Sequence, residues 1–212
     1  MDAAHQVAAA LLDAKAFKVS MDPLFTWTSG LKSPVYCDLR ALNADVEGRR
    51  LIVDELVKLV PEDVDVIAGT ATAGISWAAW VAEKMSKPMV YVRSKPKEHG
   101  AKKQVEGFVD NGAKVVMIED LISTGGSSIR TVQALRDECD AVVTKVVAIN
   151  TYEMAKATAN FAEAGLELQT VTTSPTIFAV ARERGVITEE QEAMLQDFGS
   201  APAEWAGKHG LS

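Results

Sequence analysis

Long hydrophobic runs are missing from this chain of 212 residues. No uninterrupted apolar stretch reaches the roughly 18 residues that a membrane-spanning helix requires. The alanine-rich first segment, Met1 to Phe17, carries Asp2 and Asp13 and lacks the basic start and continuous apolar centre of a secretory signal. We therefore expect a cytoplasmic protein with no membrane partner.

Cysteine and excess positive charge are also scarce. Cys37 and Cys139 are the only cysteines, too few and too far apart in sequence for a disulfide framework or a zinc site, so we expect two reduced thiols. The 22 basic side chains are outnumbered by 29 acidic ones, and the formal net charge is −7. Because nucleic-acid binding usually relies on a strongly basic surface, we expect no nucleic-acid partner.

Short apolar segments alternate with amphipathic ones along most of the chain. The apolar segments predict strands at Val64–Gly69, Met89–Val92, Lys114–Ile118, Lys145–Ile149 and Leu168–Val171. Helical spacing predicts helices in the first 17 residues and at Asp45–Val60, Gly74–Met85, Ser127–Glu138, Glu153–Ala164, Thr176–Arg184 and Glu189–Phe198. This alternation predicts an α/β fold, with a central, mainly parallel sheet flanked by helices.

The most informative segment joins a predicted strand to a turn of small residues. The buried strand Val115–Ile118 leads into two carboxylates, Glu119 and Asp120, and then into the hydroxyl- and glycine-rich turn Ser123–Ser128. Backbone N–H groups of such a turn, at the start of a helix, can surround a phosphate. Two carboxylates beside a phosphate indicate a ligand with hydroxyl groups or a bound divalent cation. The segment therefore predicts a site for a phosphorylated sugar at the carboxyl edge of the sheet.

A basic loop, residues 93–107, follows the predicted strand Met89–Val92. Between residues 93 and 103 it carries five basic side chains against Glu98 alone, a local charge of +4 in an acidic chain. A structureless loop of this length is often a functional lid. We expect it to cover a phosphate site, bring cations to a polyanion and exclude water, with His99 taking part.

A third small-residue turn, Gly69–Gly74, lies at the same predicted edge. Three loops at one edge indicate a ligand site. Their residue spacing excludes two common kinds of site, the P-loop of nucleoside triphosphatases and the dinucleotide-binding motif. The turn after Asp120 ends Gly-Gly-Ser-Ser and has no lysine to contact the phosphates of a nucleoside triphosphate. The turn Gly69–Gly74 does not fit the Gly-x-Gly-x-x-Gly motif of dinucleotide-binding proteins. A phosphoaspartate at Asp120 would leave the phosphate-binding turn unexplained.

These segments resemble the type I phosphoribosyltransferases, and within that family the orotate phosphoribosyltransferases. The resemblance rests on Val115–Ser127, on the pattern Arg93-x-x-x-Lys97-x-His99-Gly100, and on Phe25–Asp38, which singles out the orotate branch. It covers roughly residues 15 to 155. It implies one domain over residues 1–212, with a hood mainly from residues 1–40 plus C-terminal additions, and a core at about 41–172.

The resemblance also implies roles for individual residues. Transfer of ribose 5-phosphate from phosphoribosyl pyrophosphate (PRPP) to orotate would use Lys97, Asp120 and His99 as catalytic residues, with Mg²⁺ carried by the pyrophosphate and no direct protein ligand to the metal. Orotate would contact Ser123, Tyr36, Cys37 and Lys32. The residues implied to bind PRPP are Arg93, Lys97, His99, Glu119, Asp120, Leu121, Ile122, Ser123, Thr124, Gly125, Gly126 and Ser127. A homodimer is implied, in which the basic loop closes over the neighbouring subunit's site.

The sequence departs from the family pattern where many relatives carry cations. Lysine is absent at Thr28, Ala73 and Ser94, and arginine is absent near Thr151 and Tyr152. The cation that meets the orotate carboxylate is therefore open, with Lys32 and Arg40 as candidates. The alternatives to the orotate reading are a purine or uracil phosphoribosyltransferase and a nucleic-acid-binding regulator of the same fold.

Overall fold

The N-terminal region forms a helix and two small antiparallel sheets. Helix α1 (Ala3–Asp13) is capped by Asp2, whose carboxylate accepts the N–H of His5. Strand β1 (Phe17–Val19) pairs with β4 (Val35–Cys37), and β2 (Phe25–Thr26) pairs with β3 (Lys32–Ser33). A short 3-10 helix, Leu39–Asn43, leads to α2 (Val46–Leu59). The sequence pattern did not predict these four short strands, because two or three residues are too few to show a period.

The computed structural model describes residues 2–27, 30–96 and 103–211, and the main sheet of this part of the chain has six strands. They are β5 (Val66–Thr70), β6 (Met89–Val92), β7 (Val105–Glu106), β8 (Lys114–Ile122), β9 (Val142–Thr151) and β10 (Glu167–Thr170). Their spatial order is β10–β9–β8–β5–β6–β7, and every neighbouring pair is parallel except β6 and β7. The predicted α/β class with a mainly parallel sheet is confirmed.

Helices cover both faces of this sheet. In chain order they continue with α3 (Gly74–Met85), α4 (Gly126–Cys139), α5 (Ala155–Glu163), α6 (Ser174–Glu183), α7 (Glu189–Gln196) and α8 (Pro202–Lys208). One face packs its buried side chains against α1, α2, α3 and α6, and the other against α4 and α5. The β-strands buried between these layers are apolar on both faces, as parallel strands usually are. In the described part of the chain, no helix has the length and apolar character to cross a membrane.

Two differences from the predicted elements bear on the site. Strand β8 continues four residues beyond Ile118, since Leu121 and Ile122 pair with Asn150 and Thr151 of β9. The acidic pair therefore lies within a strand, two residues before its end, rather than at the beginning of a loop. Helix α8, which was not predicted, buries Trp205 and contacts β3. Asp45, the first residue of the predicted helix Asp45–Val60, is the N-cap of α2, because its carboxylate accepts the N–H of Gly48 at 3.1 Å.

Candidate functional site

The carboxyl ends of β5, β6 and β8 meet at one edge of the sheet. Gly69 of β5 is in register with Ile118 of β8, and Thr70 with Val92 of β6. The N–H of Ala71 donates to the carbonyl of Val92 at 2.9 Å, so the turn after β5 is fixed beside the start of the basic loop. The structure thus brings together the three segments that the sequence placed at one edge. Lys97 and His99 lie outside the described residues.

The two carboxylates of β8 have different surroundings. Glu119 is buried, with its Oε2 accepting the Ser128 hydroxyl at 2.9 Å and its Oε1 accepting the N–H of Asp120 at 3.2 Å. Burial, reinforced by the charge of Asp120, raises the pKa of Glu119 well above that of an ordinary glutamate. Asp120 is only half-buried. Asp120 is therefore the carboxylate that a ligand can reach, whereas the carboxylate of Glu119 is buried in the protein.

The raised pKa of Glu119 makes the Glu119→Gln variant a test of this arrangement. A group whose pKa is higher in the folded than in the unfolded protein keeps its proton on folding, so stability is lost as the pH rises above the ordinary glutamate pKa. The amide cannot ionise, so the variant should melt roughly 2–4 °C above the wild type at pH 8, as expected for about 1 kcal/mol in a chain of this size, and gain less at pH 5. Thermal unfolding at both pH values measures this.

The control for that measurement is Glu163→Gln on α5, since Glu163 is exposed and lies away from the sheet edge. Its melting temperature should differ little from the wild type at either pH. An equal gain at pH 5 and pH 8 in the Glu119→Gln variant would contradict a proton held by Glu119.

The turn after β8 is shaped for an anion. Gly125 adopts the left-handed conformation, with φ of 76°, and a neighbouring helix holds the turn because Asn160 Nδ2 donates to the carbonyl of Thr124 at 2.8 Å. Gly125 supplies no side chain to cap α4, so the N–H groups of the first turn, including those of Gly126 and Ser127, are available to a ligand. This geometry suits a phosphate.

A cavity of about 470 Å³ opens beside Asp120 and the turn, and we call it the base cavity. It is lined by Thr26, Trp27, Tyr36, Cys37, Leu121, Ser123 and Tyr152. The ring of Trp27 lies 5.1 Å from that of Tyr152 and 5.7 Å from that of Phe198, centroid to centroid. Aromatic and aliphatic walls with a few hydroxyl groups suit a flat heterocycle.

The structure gathers Tyr36, Cys37 and Ser123 in this cavity. Burial, with the nearby charge of Asp120, raises the pKa of the Cys37 thiol, which therefore forms a neutral wall. Sequence reasoning did not assign Trp27 or Tyr152 to the site. The sequence feature that could have identified Trp27 is a tryptophan within a polar, turn-rich segment.

The two candidate cations differ in their partners. Arg40 is engaged with Asp38, since its Nε lies 2.6 Å from Oδ1 and its Nη2 lies 2.9 Å from Oδ2. Lys32 is exposed and is directly opposite Thr26, a residue of the base cavity, in the β2–β3 ladder. Directly opposed residues of an antiparallel pair point to the same face of the sheet, so Lys32 lies on the same face as Thr26. This position favours Lys32 over Arg40 as the cation that faces a ligand in the base cavity.

Other predicted ligand residues occupy the edges of the site. Arg93 stands at the end of β6, with its Nη1 3.6 Å from Glu106 Oε1. Leu121 lines the base cavity, whereas the side chain of Ile122 is buried in the core. A contact between Ile122 and a ligand would therefore have to come from its backbone.

A phosphate-binding turn, an accessible carboxylate and a base-sized cavity at one sheet edge define a protein that handles a phosphorylated sugar together with a planar ring. The phosphoribosyl transferase domain model matches residues 41–160. Orotate phosphoribosyltransferases of Staphylococcus haemolyticus and Cutibacterium acnes are 49% and 46% identical over 92% and 97% of this chain, and 98% and 96% of theirs. The crystal structure of the Aeropyrum pernix orotate phosphoribosyltransferase matches with a TM-score of 0.74 and 30% identity, over 86% of this chain and 99% of that one. The chain belongs to the orotate phosphoribosyltransferase family.

Proposed function

We propose that this protein transfers the ribose 5-phosphate group from PRPP to orotate, giving orotidine 5'-monophosphate and pyrophosphate in pyrimidine biosynthesis. Orotate N1 forms a bond to C1 of the ribose, and the bond from C1 to the pyrophosphate oxygen breaks. The observation that carries the proposal is the meeting of Asp120, the turn at Gly125 and the base cavity at one sheet edge. That arrangement brings the sugar between its phosphate and the incoming base.

The 5-phosphate half of PRPP is assigned to the end of β8 and the start of α4. Asp120 accepts hydrogen bonds from the ribose hydroxyl groups. Glu119 supports Asp120 by accepting its backbone N–H. The turn Ser123–Ser127 surrounds the 5-phosphate with N–H and hydroxyl donors. Leu121 and Ile122 set the strand end from which this turn departs. These assignments are supported by the position of each group at the edge of the sheet.

The pyrophosphate half is assigned to the remaining two loops. The small residues Gly69–Ala73 leave the backbone of this turn open to it. Gly69 also lets α3 pack closely on β5, since a Cβ there would lie 2.8 Å from both Ala78 Cβ and the carbonyl oxygen of Gly74. Arg93, Lys97 and His99 bring positive charge to the leaving group. As C–O cleavage leaves charge on the pyrophosphate, cations fixed there stabilise the transition state more than the ground state.

Mg²⁺ is proposed to arrive with PRPP. Within the described residues, no group of three or more acidic, histidine or cysteine side chains is placed to hold a metal ion. The carboxylate oxygens of Asp120 are hard ligands of the kind that Mg²⁺ accepts, often through water. When bound, Mg²⁺ supplies positive charge to the pyrophosphate.

Orotate is assigned to the base cavity, against Tyr36, Cys37 and Ser123, with Lys32 facing its carboxylate. The Lys32→Ala variant should raise the KM for orotate about tenfold, because a hydrogen-bonded charge pair contributes about 1.5–3 kcal/mol when desolvated and less at an exposed side chain. The KM for PRPP should change little. Steady-state kinetics with each substrate varied in turn measures this split.

Arg40→Ala is the comparison variant, since the guanidinium of Arg40 is already engaged by Asp38. We expect a smaller change in the KM for orotate than in Lys32→Ala. Lys156, which lines a second cavity that shares Trp27 and Ser123 with the base cavity, provides a third variant. A large increase for Lys156→Ala with none for Lys32→Ala would place the carboxylate on the opposite side.

The function itself is tested by mixing the protein with orotate, PRPP and Mg²⁺ and following the loss of orotate absorbance. We expect absorbance to fall with PRPP present and to stay constant without it. No loss with orotate, together with turnover of a purine or uracil base, would overturn the substrate assignment.

The proposal includes a cytoplasmic homodimer with the basic loop of one subunit over the site of the other. It also includes one domain, with the hood of residues 1–40 and the C-terminal helices α7 and α8 closing the base side of the core at 41–172. The aromatic contacts support this division, because Phe198 follows α7 and packs on Trp27 of the hood, and Trp205 of α8 packs on Phe198.

A further inference from the structure

Gln104 ties the start of the basic loop to the residues that precede β7. The N–H of Arg93 donates to the carbonyl of Gln104 at 3.0 Å, and Gln104 Nε2 donates to the carbonyl of Arg93 at 2.9 Å. These bonds extend the pairing of β6 with β7 by one residue pair. A two-residue strand such as β7 gives little stability by itself, so this junction needs support from elsewhere.

That support comes from Glu138, in the last turn of α4. Its carboxylate accepts the N–H of Gln104 at 2.9 Å through Oε1 and 3.1 Å through Oε2, and the N–H of Val105 at 3.2 Å through Oε2. Hydrogen bonds from two successive backbone N–H groups to one carboxylate are charge-assisted, and they fix the direction of the chain at that point. We call Glu138 and Gln104 the loop clamp.

The position of Glu138 on its helix is unfavourable for the helix alone. The carboxyl-terminal end of a helix carries a partial negative charge, so a carboxylate there is repelled, and a basic residue would be preferred. The interaction with the loop is thus the contact that explains an acidic residue at this place. Lys103, which directly precedes the clamp, brings positive charge to the same end of α4.

We propose that Glu138 is a positioning residue for the transfer reaction. It holds Gln104, and Gln104 holds the backbone of Arg93 and so the point from which the basic loop departs. This inference rests on the proposed function, because it assumes that Arg93 and the loop meet the pyrophosphate of PRPP. Glu138 itself touches no substrate.

The kinetic test compares Glu138→Ala with Glu138→Gln. In Glu138→Ala we expect kcat/KM for PRPP to fall about tenfold, since small displacements of a positioned group commonly cost that much or more. The KM for orotate should stay within about twofold, because the described residues that line the base cavity come from the N-terminal region, from the end of β8 and the turn after it, and from the residue after β9, rather than from the basic loop. Glu138→Gln should recover most of the loss, as the amide oxygen still accepts an N–H.

Asp137→Ala is the matched control. Asp137 is the preceding residue on α4, is exposed, and accepts Gln133 Nε2 of the same helix at 2.7 Å. Its loss removes one negative charge from the same helix end without touching the loop. We expect its kinetics to match those of the wild type.

Amide hydrogen exchange tests the clamp without any substrate. The N–H groups of Gln104 and Val105 should exchange at least about tenfold faster in Glu138→Ala than in Asp137→Ala, because opening no longer breaks the charge-assisted bonds. Unchanged exchange would overturn the clamp. Faster exchange with wild-type kinetics, or an equal loss for orotate and PRPP, would overturn the positioning role.

The two proposals fail in different ways. A wild-type protein that does not consume orotate counts against the proposed function, whatever the exchange rates show. A wild-type protein that consumes orotate, with a Glu138→Ala variant equally active, counts against the positioning role of Glu138 alone. If Glu138→Ala does not fold, Glu138→Gln carries the same comparison at a smaller expected difference of about threefold.

Discussion

The Lys97→Ala variant is expected to transfer phosphoribosyl groups about 1000-fold more slowly than the wild type while melting at nearly the same temperature. Breaking the bond from C1 to the pyrophosphate leaves charge on the departing oxygen, and removing one group positioned on such a charge commonly costs about 100- to 1000-fold. Lys97 lies outside the described residues, in the middle of the predicted basic loop, whose residues 93–103 carry a charge of +4. Its effect should therefore be on turnover rather than on packing.

Steady-state turnover and thermal unfolding of the variant measure the two halves of this expectation. Lys58→Ala is a suitable control, since Lys58 is an exposed lysine on α2 that pairs with Glu55 at 2.6 Å, away from the sheet edge. An active Lys97→Ala protein would refute the role of the basic loop in catalysis.

A mixing experiment tests whether the loop acts on the neighbouring subunit. Lys97→Ala and Asp120→Ala proteins are each expected to be nearly inactive. If the loop reaches across, a mixed dimer contains one site with an intact Asp120 and an intact Lys97 from its partner, so an equal mixture should recover about a quarter of the wild-type activity. No recovery after subunit exchange would mean that the loop serves its own subunit.

The Gly125→Ala variant is expected to lose about 3 kcal/mol of unfolding free energy and most of its affinity for PRPP. Gly125 has φ of 76°, where a Cβ costs about 1–2 kcal/mol. That Cβ would also lie 2.5 Å from Cε2 of Phe161, a buried ring on α5, and overpacking of this kind costs about 1–3 kcal/mol. Relief of either strain moves the turn that we assign to the phosphate.

Gly112→Ala separates the two causes, because Gly112 has the same φ of 76° and nothing within 4 Å of its Cβ position. Denaturant unfolding should show a loss of about 1–2 kcal/mol for Gly112→Ala and roughly twice that for Gly125→Ala. Adding Phe161→Leu should reduce the effect of Gly125→Ala if the ring is the obstacle. Equal losses of unfolding free energy in the two glycine variants would show that the Phe161 ring moves aside at little energetic cost.

Much of the fold follows from local patterns. The strand at Val115–Ile118 and the helix after Asp45 were predictable because burial on both faces and a capping side chain are recorded in a few consecutive residues. The short strands β1–β4 of the N-terminal region and β7 were not predictable, since their pairing depends on partners rather than on their own composition. The same holds for the extension of β8 through Ile122, which exists because β9 continues beside it.

The site divides in the same way. The sequence by itself determined the turn at Ser123–Ser127, the two carboxylates that precede it and the charge of the basic loop, because each of these features is recorded in consecutive residues. Only the tertiary structure decided that Glu119 is buried against Ser128 while Asp120 stays accessible. It also decided that Trp27 and Tyr152, far apart in the chain, form one wall of the base cavity. These outcomes depend on which elements pack together, and no short stretch of sequence records that.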